Sequence, residues 1–246
     1  MKIALLLCDE SNSELLSEFG GYRNMFLDVI NETDELTVFP IYLSTNEHGD
    51  IEQSFPKVEQ FDGFIVSGSK AGVYEDLPWI APLFACIRDI VAANKKLLGV
   101  CFGHQAISCA LGGSVSKSEK GWGIGHYQNE WCHPPASKIG WQKGQALNLL
   151  VFHQDQVDVL PEGFEVCAKS DFTPYFVTQY KNQILTTQGH PEMSSQYILG
   201  LCHMLEETVG ADVAKAGRES LLEEDDTADF RQFIKDFWIS SDRFEE

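Results

Sequence analysis

The chain has 246 residues, 43% of them hydrophobic and 11% aromatic, which is enough to bury a substantial core and excludes disorder as the default state. Its formal net charge is −19, from 37 acidic and 18 basic residues. Phosphate recognition needs a basic footprint, so nucleic acid and anionic membrane surfaces are excluded as partners, and the charge is read as a source of solubility.

Met1-Lys2 leads into Ile3–Cys8, a short apolar run read as a buried strand. The run is too short for the apolar region of a signal peptide, and no later stretch approaches the length of a membrane helix. Tyr22–Ile30 carries Tyr22, Phe26, Val29 and Ile30 at helical spacing. Leu36–Leu43 and Phe61–Val66 read as strands, the second closing at Ser67-Gly68-Ser69. Pro78 precedes a helical segment over Trp79–Asn94, and Leu97–Val100 is the next strand. Strands alternating with helical segments predict a parallel α/β sheet, whose chemistry lies at the carboxyl ends of its strands.

The stretch from Gly112 to Gln145 is rich in Gly, Pro and Trp and reads as short antiparallel strands and turns. Its Trp122, Trp131 and Trp141 are assigned to core or pocket wall. Leu147–Phe152, Phe164–Lys169, Pro174–Tyr180 and Gln183–Thr187 are further short strands. Ser195–Thr208 and Ala228–Trp238 read as helices, joined through an acidic run at Glu223–Asp226. No repeat or Pro/Ser-rich linker divides the chain, so one domain over residues 1–246 is expected, with an acidic helical extension from about residue 205. The seven cysteines have no framework spacing, which predicts free thiols in a reducing, cytoplasmic setting. Cys132-His133 and Cys202-His203 lack the spacing of a metal site, and neither a Walker loop nor G-x-G-x-x-G is present, so no metal or cofactor is expected.

Cys101 stands out. It ends an apolar strand, has Gly99 and Gly103 two residues to either side, and is followed at once by an Ala-rich helical segment from Gln105 to Ala110. A strand-turn-helix corner of this kind presents a nucleophile, and the amides of the following helix favour a thiolate. The glycines are expected to allow the sharp turn and leave room for a substrate. Alone, the motif leaves open an ordinary buried cysteine at a strand end. A nucleophilic thiol needs a base, and the base needs an orienting group. His190 follows a strand, and Glu192 is two residues on, on the same side of an extended segment.

Taken together, Gly99-x-Cys101-x-Gly103-x-Gln105 and Gly189-His190-Pro191-Glu192 resemble the class I, triad-type glutamine amidotransferases. The likeness extends to Ile65-Val66-Ser67-Gly68-Ser69 and to His153-Gln154-Asp155-Gln156-Val157, and spans roughly residues 1–200. It is nearest in character to stand-alone proteins similar to the amidotransferase domain of GMP synthase, a group that includes γ-glutamyl peptidases. The resemblance implies a three-layer α/β sandwich with a central, mostly parallel, flavodoxin-like sheet. It also implies Cys101 as nucleophile, His190 as acid-base and Glu192 as its orienting group. The backbone amides of Phe102 and Ser69 are implied as oxyanion donors, and Gln105 and His153 as residues beside the substrate. Where relatives commonly carry Ser-Gly-Gly-Pro, this chain has Ser67-Gly68-Ser69-Lys70. A positive φ at the third position would suit Ser69 less than Gly. Lys70 is read first as a solvated lysine and second as a charge favouring an anionic substrate.

Three functions fit this reading. The first is a glutaminase-type amidotransferase that attacks glutamine and releases ammonia. Too few residues follow Glu192 for a synthetase, so its acceptor is expected on a separate polypeptide. The second is a γ-glutamyl peptidase or hydrolase acting alone on glutathione-like compounds. The third is a binding or regulatory protein that keeps the fold without turnover.

Overall fold

The computed structural model describes residues 1–43, 55–134 and 139–240. Residues 135–138 of the Gly-rich middle and 241–246 of the C-terminal segment lie outside them. In chain order the strands are β1 (Lys2–Leu7), β2 (Glu35–Pro40), β3 (Gly63–Val66), β4 (Lys96–Val100), β5 (Ser114–Lys117) and β6 (Gly123–Trp131). They continue with β7 (Ala146–His153), β8 (Asp155–Val159), β9 (Glu165–Lys169), β10 (Val177–Tyr180) and β11 (Ile184–Thr187). The helices are α1 (Ser13–Phe19), α2 (Tyr22–Phe26), α3 (Ile80–Ala92), α4 (Phe102–Ala110), α5 (Ser195–Met204), α6 (Glu206–Val209), α7 (Ala211–Ser220) and α8 (Thr227–Ile239).

Nine strands form one sheet in the order β2-β1-β3-β4-β11-β10-β9-β6-β7. From β2 to β11 every pairing is parallel, and from β11 to β7 every pairing is antiparallel. The parallel strands β3, β4 and β11 are buried along nearly their whole length, which explains why they carry apolar or small side chains with no polar alternation, apart from the buried threonines Thr186 and Thr187 of β11. On one face, α3 and α4 cover them with Leu83, Ile87, Ile90, Phe102 and Ile107. On the other, α8 packs Phe230, Phe233, Ile234, Phe237 and Trp238 against Leu5, Leu98 and Leu185. Trp131 and Trp141 stack at 4.6 Å in this second layer and meet Phe230 and Phe233. The arrangement is a three-layer α/β sandwich, in which the C-terminal helix α8 contributes a large part of one face.

Register fixes the site. Val66 pairs with Gly99, and Thr187 pairs with Val100. The residues that follow β3, β4 and β11, namely Ser67, Cys101 and Gln188, therefore emerge side by side at the carboxyl edge. The backbone amide of Cys101 donates to the Thr187 carbonyl at 2.8 Å, which extends this pairing into the turn.

Two elements, α1 and β8, have no counterpart in the sequence reading, and α7 falls inside the helical extension expected from about residue 205 without having been read as a helix with bounds of its own. Helix α7 shows why. It lays the small residues Ala214 and Gly217 on the sheet, and a Cβ added at Gly217 would stand 2.7 Å from Ile124 Cγ2. A face made of small residues gives no large-apolar period to read.

Candidate active site

Cys101 sits at φ 52, ψ −105 as the residue just before α4. A non-glycine residue in this region is strained, at a cost of roughly 1–3 kcal/mol, and such strain persists only where its surroundings hold it. The surroundings are tight. A Cβ added at Gly103 would lie 2.1 Å from the Val66 carbonyl oxygen, and one at Gly99 would lie 2.6 Å from Ile107 Cδ1. The flanking glycines thus let α4 press against β3 and β4. The sequence reading gave them a sharp turn and room for a substrate, and the structure corrects the second: the space beside them is already filled by the helix–sheet contact.

Beyond β11 the chain runs through Gln188 to His190, whose backbone amide donates to the Leu150 carbonyl at 2.8 Å. His190 Nδ1 lies 2.8 Å from Glu192 Oε1, with both side chains almost wholly buried. Burial pushes the His190 imidazole down, but Glu192 and then Cys101 favour its charged form and carry it well above its ordinary value. With Nδ1–H given to Glu192, Nε2 is left for the Cys101 thiol. Gly68 flanks both groups: a Cβ there would meet His190 Cε1 at 3.3 Å and Cys101 Cβ at 3.8 Å.

The turn after β3 is pinned to the end of β1. Ser67 Oγ accepts from the Cys8 amide at 2.9 Å, and Asp9 accepts from both the backbone amide and Nζ of Lys70 at 3.0 Å. Ser69 is absent from the non-glycine residues of positive φ, so serine carries no conformational penalty there. Lys70 is largely exposed and paired with Asp9, in keeping with its first reading as a solvated lysine.

A cavity of about 390 Å³ opens over Cys101 and His190 and is also lined by Gly68, Ser69, Gln105 and His153. One wall is apolar, with Tyr22, Trp122, Phe152, Met193 and Tyr197, and Trp122 meets Phe152 at 5.6 Å. The rim carries Asp9, Glu10, Glu75 and Asp155 against Lys70 and Lys117. Glu192 stands behind His190. The Phe102 ring packs against Trp79, and its backbone amide opens α4 directly after Cys101. His153 donates from Nδ1 to the Asp155 carbonyl at 3.1 Å; burial holds its ring neutral, with a pKa lowered to about 4. Among the described residues, no group of three or more His, Cys, Asp and Glu side chains is placed to hold a metal ion.

Two residues here were not singled out from sequence. Gln188 Nε2 lies 3.4 Å from Cys101 Sγ, and Gln188 Oε1 accepts from Gln105 at 3.0 Å. Its place between a strand and Gly-His-Pro-Glu was a signal that went unused. Arg231, on α8, donates from Nε to the Pro191 carbonyl at 2.6 Å, and its other nitrogens reach the Glu192 and Met193 carbonyls and Asp28. No local pattern marks it, because its carbonyl partners lie about forty residues away in sequence and Asp28 about two hundred.

The geometry is that of a strand-turn-helix elbow that sets a strained cysteine at the carboxyl edge of an α/β sheet. A family model described as glutamine amidotransferase class-I matches residues 15–197, and the chain belongs to that family. Among curated proteins it is similar to γ-glutamyl peptidase 5 of Arabidopsis thaliana, 29% identical over 96% of this chain and 94% of that protein. It is also similar to the glutamine-hydrolysing GMP synthase of Staphylococcus carnosus, 27% identical over 76% of this chain but only 34% of that protein. Among solved structures, a glutamine amidotransferase from Thermotoga maritima superposes with a TM-score of 0.69 over 97% of this chain and 98% of that one, at 19% identity. One from Methylobacillus flagellatus gives the same TM-score over 97% and 93%, at 18% identity. No helix among the described residues is long and apolar enough to cross a membrane.

Proposed function

We propose that this protein hydrolyses γ-glutamyl amides through a thioester on Cys101. The sulfur attacks the γ-carbonyl carbon, and the resulting oxyanion is held by the backbone amides of Ser69 and Phe102. His190 delivers its proton to the departing nitrogen, the C–N bond breaks, and a γ-glutamyl thioester remains. His190 then takes a proton from water, the hydroxide adds to the thioester carbon, and collapse releases glutamate and the free sulfur. Glu192 keeps the His190 ring in register through its 2.8 Å contact and stabilises the imidazolium. Gln105 and His153 border the space where the glutamyl group would lie. The observation that carries this reading is the buried Glu192–His190 pair set against a strained Cys101 at the ends of two paired strands.

The leaving group separates two versions. The match to γ-glutamyl peptidase 5 runs over nearly all of both chains, whereas GMP synthase is about three times as long as its matched part. The apolar wall of Trp122, Phe152 and Tyr197 also offers contact area that ammonia could not use. Both favour an amine or peptide leaving group and partner-free action. The glutaminase version, with a separate synthetase as ammonia acceptor, stands second. The seven cysteines are all free, which supports a reducing, cytoplasmic setting. Glutamate release from glutamine, glutathione and γ-glutamyl amines, with Cys101→Ala as control, tests the proposal. Cleavage of γ-glutamyl peptides by the protein alone supports the first version. Glutamine turnover that appears only when a synthetase is added supports the second. No release from any of these compounds defeats both.

A further inference from the structure

We propose that Gln188 is a further catalytic residue, a neutral amide donor aimed at the sulfur of Cys101 and locked in that polarity by the Asp155 carbonyl. The proposal rests on Cys101 being the nucleophile. Its argument is a chain of donors and acceptors. A backbone carbonyl only accepts, so the Gln105 amide must turn its NH2 group toward Asp155, which it meets at 2.9 Å. The same NH2 group faces Gln188 at 3.0 Å, so Gln188 must answer with its carbonyl oxygen. The Gln188 NH2 is thereby left on the other side, 3.4 Å from Cys101 Sγ. Flipping either amide would set two donors or two acceptors against each other inside a site where both glutamines are buried.

The consequence is chemical. A buried amide NH2 needs an acceptor, and a neutral thiol is a poor one, while a sulfur anion is a good one. The network is best satisfied when the thiol proton has moved to His190. Gln188 thus stabilises the anion alongside the charge supplied by His190, and adds no second charge to the site. Gln105 serves the same end, since its amide carries the fixed polarity from β8 to Gln188.

The experiment compares Gln188→Glu and Gln188→Met with wild type, reading alkylation of Cys101 by iodoacetamide against pH, site by site by mass spectrometry. Glu keeps the acceptor for Gln105 and replaces the donor facing sulfur with a carboxylate oxygen; Met removes the donor with little change in length. Alkylation should need a higher pH in both, by about one unit in Met and more in Glu, and kcat/KM near neutral pH should fall about tenfold to a hundredfold. Unfolding in urea identifies whether each variant is folded. As a readout free of substitution at Gln188, its side-chain NH2 resonances in the otherwise native protein should move with pH, and should stop moving in Cys101→Ala. Unchanged alkylation profiles in a folded variant, or NH2 resonances indifferent to Cys101, overturn the role of Gln188. Alkylation needs no substrate, so a protein that releases no glutamate would defeat the proposed function while leaving this result readable.

Discussion

Gly103 and Val66 are in contact through backbone alone: a single methyl on the Gly103 Cα would stand 2.1 Å from the Val66 carbonyl oxygen. Neither atom belongs to a flexible side chain, so α4 would have to lift from β3. Gly103→Ala should therefore destabilise the fold by about 3 kcal/mol, at the upper end of overpacking costs, and lower activity further by shifting the Phe102 amide. Urea unfolding checks the first, and glutamate release from folded protein the second. A variant as stable as wild type would show that the helix tolerates the lift.

Strain at Cys101 gives a reversed order of stabilities. Alanine normally outlasts glycine, yet at φ 52 only glycine is relaxed. Cys101→Gly and Cys101→Ala should both be inactive, with the glycine variant the more stable by about 1 kcal/mol. Thermal unfolding of the two, side by side, decides it. An alanine variant that melts higher would mean that the corner relaxes when the thiol is gone.

Arg231 reaches the Pro191, Glu192 and Met193 carbonyls from α8, outside residues 15–197 matched by the family model. It touches no reacting atom and positions the Glu192 loop. Arg231→Met should lower kcat about tenfold or more while KM changes less than about twofold, because a small displacement of the acid-base pair costs rate rather than binding. Lys at this position should recover part of the loss, since it keeps the charge and three donors but carries them on one nitrogen that cannot span the separate partners reached by the guanidinium fork. Equal losses in Met and Lys that track only the melting temperature would reduce Arg231 to a stability role.

Two buried histidines set an acid limit. Burial lowers the His104 ring to about 3, and burial lowers His153 to about 4, from an ordinary 6.5. Below pH 6.5 the unfolded chain binds protons that the folded chain refuses, so stability falls as pH drops from 6.5 toward 4. His190 has the opposite sign: its raised value adds stability below pH 6.5, which is lost as pH rises through its folded value. Urea unfolding of wild type and His104→Gln at pH 7, 6 and 5 should show a shallower fall in the variant. Parallel curves would mean that His104 is protonated in the fold.

Much of this was legible in the sequence. Apolar runs in β1, β3 and β4 sit between turn residues, and burial on both faces leaves them no alternation to confuse. Cys101 was readable because it directly follows such a run, and His190 because it stands three residues past the short strand β11 that pairs with β4. Gln188, Arg231 and the glycine contacts were not readable in this way. Gln188 matters through its register with Cys101, Arg231 through the packing of α8, and Gly103 through the nearness of β3. Each depends on a neighbour distant in the chain, and periodicity carries no such information. The bounds of the small-faced α7, within the helical extension read from about residue 205, were hidden for the related reason that it packs by closeness rather than by bulk.

The pairing of β4 with β11 has a consequence for how such a site changes over time. Between these two strands the chain makes one long excursion, through β5 to β10, and returns to the same edge. Cys101, the proposed nucleophile, precedes the excursion and the His190–Glu192 pair follows it, while Trp122, Phe152 and His153, which border the cavity, lie within it. The same stretch also holds the corner, because the Leu150 carbonyl of β7 takes the His190 amide and the Asp155 carbonyl of β8 takes the Gln105 side chain. Exchanges confined to wall side chains such as Trp122 and Phe152 can reshape the cavity, whereas a shift of the β7 or β8 backbone moves the corner with it.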